Sequence, residues 1–234
     1  MFALKDKIAV ITGASRGIGF AVAEALAVHD CKVVVTSRFA THAEAAAAKI
    51  PNAVPFVCDV REEHAVEALF DFVRDKFRHL DFLVNNAGIY GPAKPIDQIA
   101  PEGWREALDI NLTGTFLCTR EAVPLMPEGS VIVNNLSMAA YQVFPNSAAY
   151  IASKQGLLGL TNASREDLRP KGIRVLALVP GATDTEIWNQ FWPEAPREKM
   201  IKPSEVAGVV LNALLMPPGT SVEEIRIMPA AGKL

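Results

Sequence analysis

Ile8-Ala9-Val10-Ile11-Thr12-Gly13-Ala14-Ser15-Arg16-Gly17-Ile18-Gly19, followed by an alanine-rich run to Val28, decides the fold. Four apolar residues in a row predict a strand buried on both faces, as in a parallel sheet. The alanine-rich run predicts a helix from about Phe20 to Val28. Strand, glycine-rich turn and helix together make a phosphate site. Gly13, Gly17 and Gly19 permit a tight turn and a close backbone approach, while Ser15, Arg16 and Ile18 lead into a helix start whose N–H groups face an anion. The spacing is G-x-x-x-G-x-G, not the commoner dinucleotide G-x-G-x-x-G, and a plain strand-to-helix turn is the competing reading.

Outward from this stretch the alternation repeats. Lys32–Thr36 predicts a second strand ending at Thr36-Ser37-Arg38, where an acid would bind the ribose of NAD and an arginine the 2′-phosphate of NADP. No acid stands there; Ser37 and Arg38 are candidate contacts, and Arg38 with Arg16 is a candidate guanidinium clamp for phosphate, the alternative being two surface charges. Thr41 and Glu44 have capping-box spacing ahead of an alanine-rich helix that Pro51 ends. Val54–Cys58 predicts a third strand with Asp59-Val60 at its end; Asp59 fits a capping box with Glu62 as well as a contact to adenine. Val66, Leu69, Phe70, Val73 and Phe77 mark a helix over Glu63–Phe77.

Phe82 opens a fourth strand that runs into Asn85-Asn86-Ala87-Gly88, whose amides suit tying adjacent loops together. A long helix is expected from Glu102 to Val123. Asn111 lies inside it, disfavoured unless its amide has a partner. Val131–Ser137 predicts a fifth strand with Ser137 at its C-terminal end, and Arg174–Val179 a sixth, stopped by Pro180-Gly181 and followed by Thr183 and Thr185. Ile187 to Pro193, rich in aromatics, covers a substrate or packs on the body or a second subunit. Pro203 opens a helix to Leu215, and Ile225–Ile227 is a short last strand. With no internal repeat and no linker, one α/β domain over 1–234 is expected. In a doubly wound sheet ligands bind outside the carboxyl ends of the strands, so the glycine loop, Arg38, Asp59, Asn86 and Ser137 share one rim.

Composition narrows the class. Half of the 234 residues are hydrophobic, 21% are charged and the net charge is −3 with no basic run, so nucleic-acid binding has no support. No apolar run reaches membrane-spanning length, and Met1–Lys7 turns charged too early for a signal peptide. Cys31, Cys58 and Cys118 read as buried small hydrophobes in a reducing compartment, and His29, His42, His64 and His79 lack ligand spacing; no metal is expected, and the location expected is cytoplasmic.

Tyr150-Ile151-Ala152-Ser153-Lys154 places a phenol and an ammonium one turn apart on one side of an expected helix. A free tyrosine titrates at about 10, and a neighbouring ammonium draws that value down. Such a pair gives a proton to a carbonyl oxygen or takes one from an alcohol. The same spacing also occurs on solvated helices.

With these motifs in this order, the chain resembles the short-chain dehydrogenase/reductase family from about Lys7 to Pro229. Thr12–Gly19 looks like its cofactor loop, Asn85-Asn-Ala-Gly88 its mid-sheet motif, Ser137, Tyr150 and Lys154 its catalytic group, and Pro180-Gly181 with Thr185 its nicotinamide-side loop. The resemblance implies a single-domain Rossmann-type parallel sheet of about seven strands with helices on both faces. It also implies hydride transfer between a nicotinamide and a carbonyl or secondary alcohol, in a homo-oligomer (dimer or tetramer). Tyr150 would be the acid or base, Lys154 would lower its pKa and bind the nicotinamide ribose, Ser137 would hydrogen-bond the substrate oxygen, and Asn111 would hold a water in a proton relay. NADP(H) is favoured and NAD(H) is the alternative; a dinucleotide-binding sensor without turnover is the reading from another class. Tyr90, Ala139, Phe144, Trp188 and Phe191 are expected to line a pocket for a hydrophobic small molecule. The last segment, Met228–Leu234, lacks the Asp-Gly-Gly common in the family.

Overall fold

The computed structural model describes residues 4–232; the expectations drawn from Met1–Ala3 and Lys233–Leu234 lie outside the described residues. Seven strands form one parallel sheet in the order β3-β2-β1-β4-β5-β6-β7. They are β1 (Ile8–Ile11), β2 (Lys32–Ser37), β3 (Ala53–Val57), β4 (Phe82–Asn85), β5 (Val131–Asn135), β6 (Arg174–Pro180) and β7 (Glu224–Ile227). The helices are α1 (Gly17–Ala27), α2 (Ala40–Ala47), α3 (Glu63–Phe77), α4 (Pro101–Leu108), α5 (Gly114–Ala122), α6 (Ala148–Leu168) and α7 (Pro203–Leu214).

The two-residue period of the strands sorts the core into two layers. Ala9, Ile11, Val33, Val35, Val133 and Leu176 meet α1 and α7 on one face, whereas Ile8, Val10, Val34, Leu83, Ile132 and Val175 meet α3 and α5 on the other. Leu157 of α6 packs on Ala177 and Val179. Both faces are covered, which is why the central strands read as unbroken apolar runs. The strand order reverses between β1 and β4, and the crevice at that switch point is where such sheets bind ligands.

Three local expectations change. Neither capping box forms. Helix α2 starts at Ala40 with no side-chain cap, and the Ser37 hydroxyl instead accepts the Phe39 N–H (3.3 Å). Asp59 accepts from the Arg61 N–H and holds the Arg61 guanidinium at 3.0 and 2.6 Å, while α3 starts uncapped at Glu63. A bidentate charge-assisted pair outcompetes a cap to a neutral amide. Helix α1 begins at Gly17, ahead of the expected Phe20, since a first turn has no N-terminal backbone bonds for glycine to weaken.

The third change is in the helix expected over Glu102–Val123. It is divided into α4 and α5 by a widened π turn, Asp109–Thr113, with Asn111 fully buried within it. The Thr115 hydroxyl donates to the Asn111 carbonyl (3.3 Å). Such turns concentrate at functional sites.

Candidate active site

A cleft of about 670 Å³ opens along the carboxyl ends of the strands. Gly13, Ser15, Arg16, Gly17 and Ile18 line it from the glycine loop, Ser37, Arg38, Asp59 and Val60 from the ends of β2 and β3, and Asn86, Ala87 and Gly88 from the end of β4. Ser137, Tyr150, Lys154, Pro180, Gly181, Thr183 and Thr185 complete the wall. Gly19 and Asn111 do not line the cleft; both act from behind it.

The glycine loop is shaped by close approach. Gly13 has φ +61, and a Cβ there would lie 2.8 Å from Ala87 Cα; at Gly19 it would lie 2.3 Å from Asn86 Nδ2. Asn86 Nδ2 donates to the Thr12 and Gly13 carbonyls (3.0 Å each), and its Oδ1 accepts from Asn135 (2.9 Å). The amides of this motif therefore tie β1, β4 and β5 together. Helix α1 begins beside the cleft with no side-chain cap, so its first N–H groups are available to an anion. Thr185 rests over Gly17. A dinucleotide pyrophosphate fits this cradle.

Tyr150 and Lys154 lie on α6, one turn apart, with Lys154 Nζ 5.7 Å from the Tyr150 ring centre. Lys154 is buried and donates to the Asn135 carbonyl (2.8 Å). Ser137 lies two residues beyond β5 and caps a short turn, its oxygen accepting the Ala139 N–H (3.2 Å), which leaves the hydroxyl proton free to donate. Asn111 Oδ1 accepts the Ile89 N–H (2.8 Å), and Asn111 Nδ2 donates to the Ile89 carbonyl and to Ser153 Oγ (2.9 Å each). Ser153 donates to the Tyr150 carbonyl (2.7 Å). The Asn111 amide thus works structurally, joining the loop after β4 to the helix of Tyr150.

The electrostatics differ from the expectation that the ammonium lowers the phenol. Burial pushes the Tyr150 phenol up to about 12, with the Ser137 hydroxyl pulling it down and Tyr90 adding to the rise. Burial likewise depresses the Lys154 ammonium to about 8. Desolvation is the largest cause of both shifts, and neither group figures among the causes of the other's. The Arg61 hydrogen bond holds Asp59 below the usual carboxylate range. Cys31 and Cys58 are buried free thiols pushed up to about 12, and Cys118 is also buried and free.

At one end of the cleft Arg16 and Arg38 are exposed, and Arg38 stacks over Phe39 (4.9 Å). At the other end Tyr90, Phe144, Trp188 and Phe191 line the wall as expected, but Ala139 is fully buried and does not. Phe39, His42, Met138, Gln142, Met228 and Pro229 also line the cleft. No spacing in the sequence pointed to them; Met228 and Pro229 arrive only because β7 pairs with β6. The segment from Ile187 to Trp192 lies over the cleft. Its base is fastened by the Thr183–Ile201 bridge and by Arg197, which donates to the Thr185 carbonyl (2.6 Å), Asn189 (2.6 Å) and Asp184 (3.0 Å).

Comparison with known proteins gives one answer. A family model described as short chain dehydrogenase matches residues 7–196. A 3beta-hydroxysteroid dehydrogenase from Mediterraneibacter gnavus is 41% identical over 187 residues, 78% of this chain and 68% of that protein. Among solved structures, a short chain dehydrogenase from Burkholderia cenocepacia in complex with NADP has a TM-score of 0.89 at 31% identity, covering 98% of this chain and 99% of that one. A 3-ketoacyl-(acyl-carrier-protein) reductase from Brucella melitensis complexed with NADH has a TM-score of 0.88 at 30% identity, covering 97% and 98%. With its glycine cradle, its Ser-Tyr-Lys cleft and these relatives, the chain belongs to the short-chain dehydrogenase/reductase family, oxidoreductases of alcohol and carbonyl groups.

Proposed function

We propose an NADP(H)-preferring oxidoreductase that moves a hydride between nicotinamide and the carbonyl or secondary-alcohol carbon of a neutral, hydrophobic small molecule, with Tyr150 as proton donor or acceptor. The observation that carries this reading is the meeting of Ser137, Tyr150 and Lys154 in one cleft with the uncapped, glycine-lined start of α1. When bound, the nicotinamide supplies or accepts the hydride. Tyr150 gives its phenolic proton to the oxygen on reduction and takes one from the alcohol on oxidation. Ser137 donates a hydrogen bond to the same oxygen, stabilising the charge that develops there. Lys154, its ammonium fixed by the Asn135 carbonyl, steadies the phenolate left behind. Asn111 positions α6 through Ile89 and Ser153, and it is the residue we assign to holding the relay water. Incubating the protein with NADPH and a panel of neutral ketones and aldehydes tests the reading; nucleotide binding with no turnover of any of them would favour a sensor.

The NADP preference rests on the missing acid at the end of β2 and on Arg16 and Arg38 at the cleft edge, with Asp59 already held by Arg61. Arg38→Asp is expected to weaken NADPH about 10- to 100-fold, the range for losing a charged hydrogen bond, while NADH gains. Isothermal titration of both nucleotides checks this, and an unchanged ratio would remove the clamp. The NADH-bound Brucella relative supports the NAD-dependent alternative.

The pH dependence has opposite signs in the two directions. Tyr150, at about 12, stays protonated through the working range, so reduction has its donor; Lys154, at about 8, loses its cation as pH rises. Reduction is therefore expected to be level below about 8 and to fall above it, while oxidation, which needs the phenolate, climbs with pH. Profiles of kcat/KM from acid to alkaline pH check this, and the break near 8 should vanish from the residual activity of Lys154→Met.

The homo-oligomer is proposed as a dimer or tetramer, for which exposed Trp104 and Phe116 offer apolar surface; sedimentation measures it. Among the described residues no helix is long and apolar enough to cross a membrane. Three free buried thiols support a reducing, cytoplasmic location.

A further inference from the structure

We propose that Tyr90 determines substrate specificity: it is a fixed aromatic platform on which a flat ring of the substrate takes the place of Phe191. The inference rests on the carbonyl/alcohol reading of the cleft and adds the class of compound, a neutral carbonyl or alcohol bearing a planar unsaturated ring.

Tyr90 is anchored at its hydroxyl end. Its Oη lies 2.5 Å from Ser147 Oγ, and Ser147 is buried at 1% exposure. Ser147 Oγ donates its single proton to the Pro145 carbonyl (2.9 Å), so the Tyr90 phenol must donate to Ser147. The Ser147 carbonyl accepts the Ile151 N–H (2.9 Å), which fastens this pair to the first turn of α6. The Tyr90 ring stacks with Tyr150 (4.8 Å between centres, 26° between planes) and with Phe191 (3.8 Å, 10°).

Phe191 is held differently. It is partly exposed, lies in the excursion between Thr183 and Ile201, and its N–H meets the Trp188 carbonyl at 3.3 Å. Both rings stand on loops, but only Tyr90 is tied to the body through its own side chain, so Phe191 is the one to yield. The space it covers adjoins the Tyr150 ring through Tyr90. Of the charged side chains that line the cleft, Arg38 and Asp59 follow β2 and β3, across β1 from the strand that leads to Tyr90, Arg16 and Glu186 are exposed, and Lys154 is bound to Asn135. A ring entering here meets aromatic faces and no cation for an acid. Planar π-systems recover on Tyr90 the stacking that Phe191 provides, whereas a puckered saturated ring does not.

The test uses 4-phenylbutan-2-one and 4-cyclohexylbutan-2-one, whose carbonyls are insulated from the ring by two methylenes and so react alike. Burial alone favours the more apolar cyclohexyl compound, so the sign of the preference separates the two causes. Affinities are read from the change in tryptophan fluorescence on binding, Trp188 having its ring centre 5.0 Å from that of Phe191, with the full chain in saturating NADP+. The expected result is about three- to tenfold tighter binding of the phenyl ketone, a preference lost in Tyr90→Leu and kept in Tyr90→Phe. Phe191→Ala, on the surface loop, should keep or raise the preference because the competing ring is gone. A cyclohexyl preference in the native chain, a phenyl preference that survives Tyr90→Leu, or its loss in Phe191→Ala would each overturn the proposal. Turnover of the same ketones with NADPH tests the oxidoreductase reading separately, since the binding ratio stands whether or not the carbonyl is reduced.

Discussion

Tyr150→Phe lowers kcat for any carbonyl substrate by about 100- to 10,000-fold, the contribution of a positioned general acid, and leaves NADPH affinity within about twofold of the native value. The substitution removes one oxygen and keeps the ring. The stack on Tyr90 at 4.8 Å is retained, as is the bond from Ser153 to the residue 150 carbonyl, so α6 does not move. Lys154 keeps its bond to the Asn135 carbonyl. What is lost is the proton source at the substrate oxygen together with the phenol's hydrogen bond to Ser137, which is left to stabilise the oxyanion alone. NADPH oxidation at saturating substrate measures the first quantity, and quenching of protein fluorescence by NADPH measures the second. A variant retaining more than about a tenth of native turnover would assign the proton to another group. A variant that also lost nucleotide affinity would show that the phenol is needed to hold the cofactor.

Gly19→Ala has the second large effect, although Gly19 does not line the cleft. The new methyl would lie 2.3 Å from Asn86 Nδ2 and 3.0 Å from the Gly13 carbonyl, so Asn86 must leave its place. Asn86 gives two hydrogen bonds to Thr12 and Gly13 and takes one from Asn135, and Asn135 in turn holds Lys154. Breaking three bonds and overfilling the turn costs about 3 kcal/mol, which for a chain of this size lowers Tm by about 6–12 °C. Calorimetry reads that loss. Nucleotide binding weakens in parallel, because the loop that shapes the phosphate site is the loop that shifts. An alanine variant with native Tm and native NADPH affinity would show that the glycine is not required by this contact.

The two substitutions mark the limits of what a linear reading reaches. Short apolar runs were enough to place the seven strands: the five central ones are buried on both faces and read as continuous runs, while the half-exposed edge strands β3 and β7 show only alternate apolar residues such as Val54, Phe56, Ile225 and Ile227. Motif order along these strands brought Ser137, Tyr150 and Lys154 to the same rim, since every parallel strand ends on the same side of the sheet. Cap positions were less legible. Thr41 and Asp59 have the right spacing, but whether a side chain turns to its own backbone or to a neighbour depends on what stands beside it, here Arg61 for Asp59. The division of the long helix at Asn111 was likewise hidden, because its cause is a loop 22 residues away whose backbone fills both ends of that amide.

By itself the sequence determined the α/β class from local periodicity, and its motifs, through their order and their resemblance to one family, supplied the glycine loop and the Ser137, Tyr150 and Lys154 on which the proposed chemistry rests. The tertiary structure decided the rest: the direction in which Tyr150 and Lys154 are shifted, the hydrogen-bonding work of Asn111, and the aromatic wall in which Tyr90 meets Ser147, Tyr150 and Phe191. The physical reason is common to all three. Desolvation, saturation of an amide and ring stacking depend on what surrounds a group in space, and those surroundings come from residues far apart along the chain.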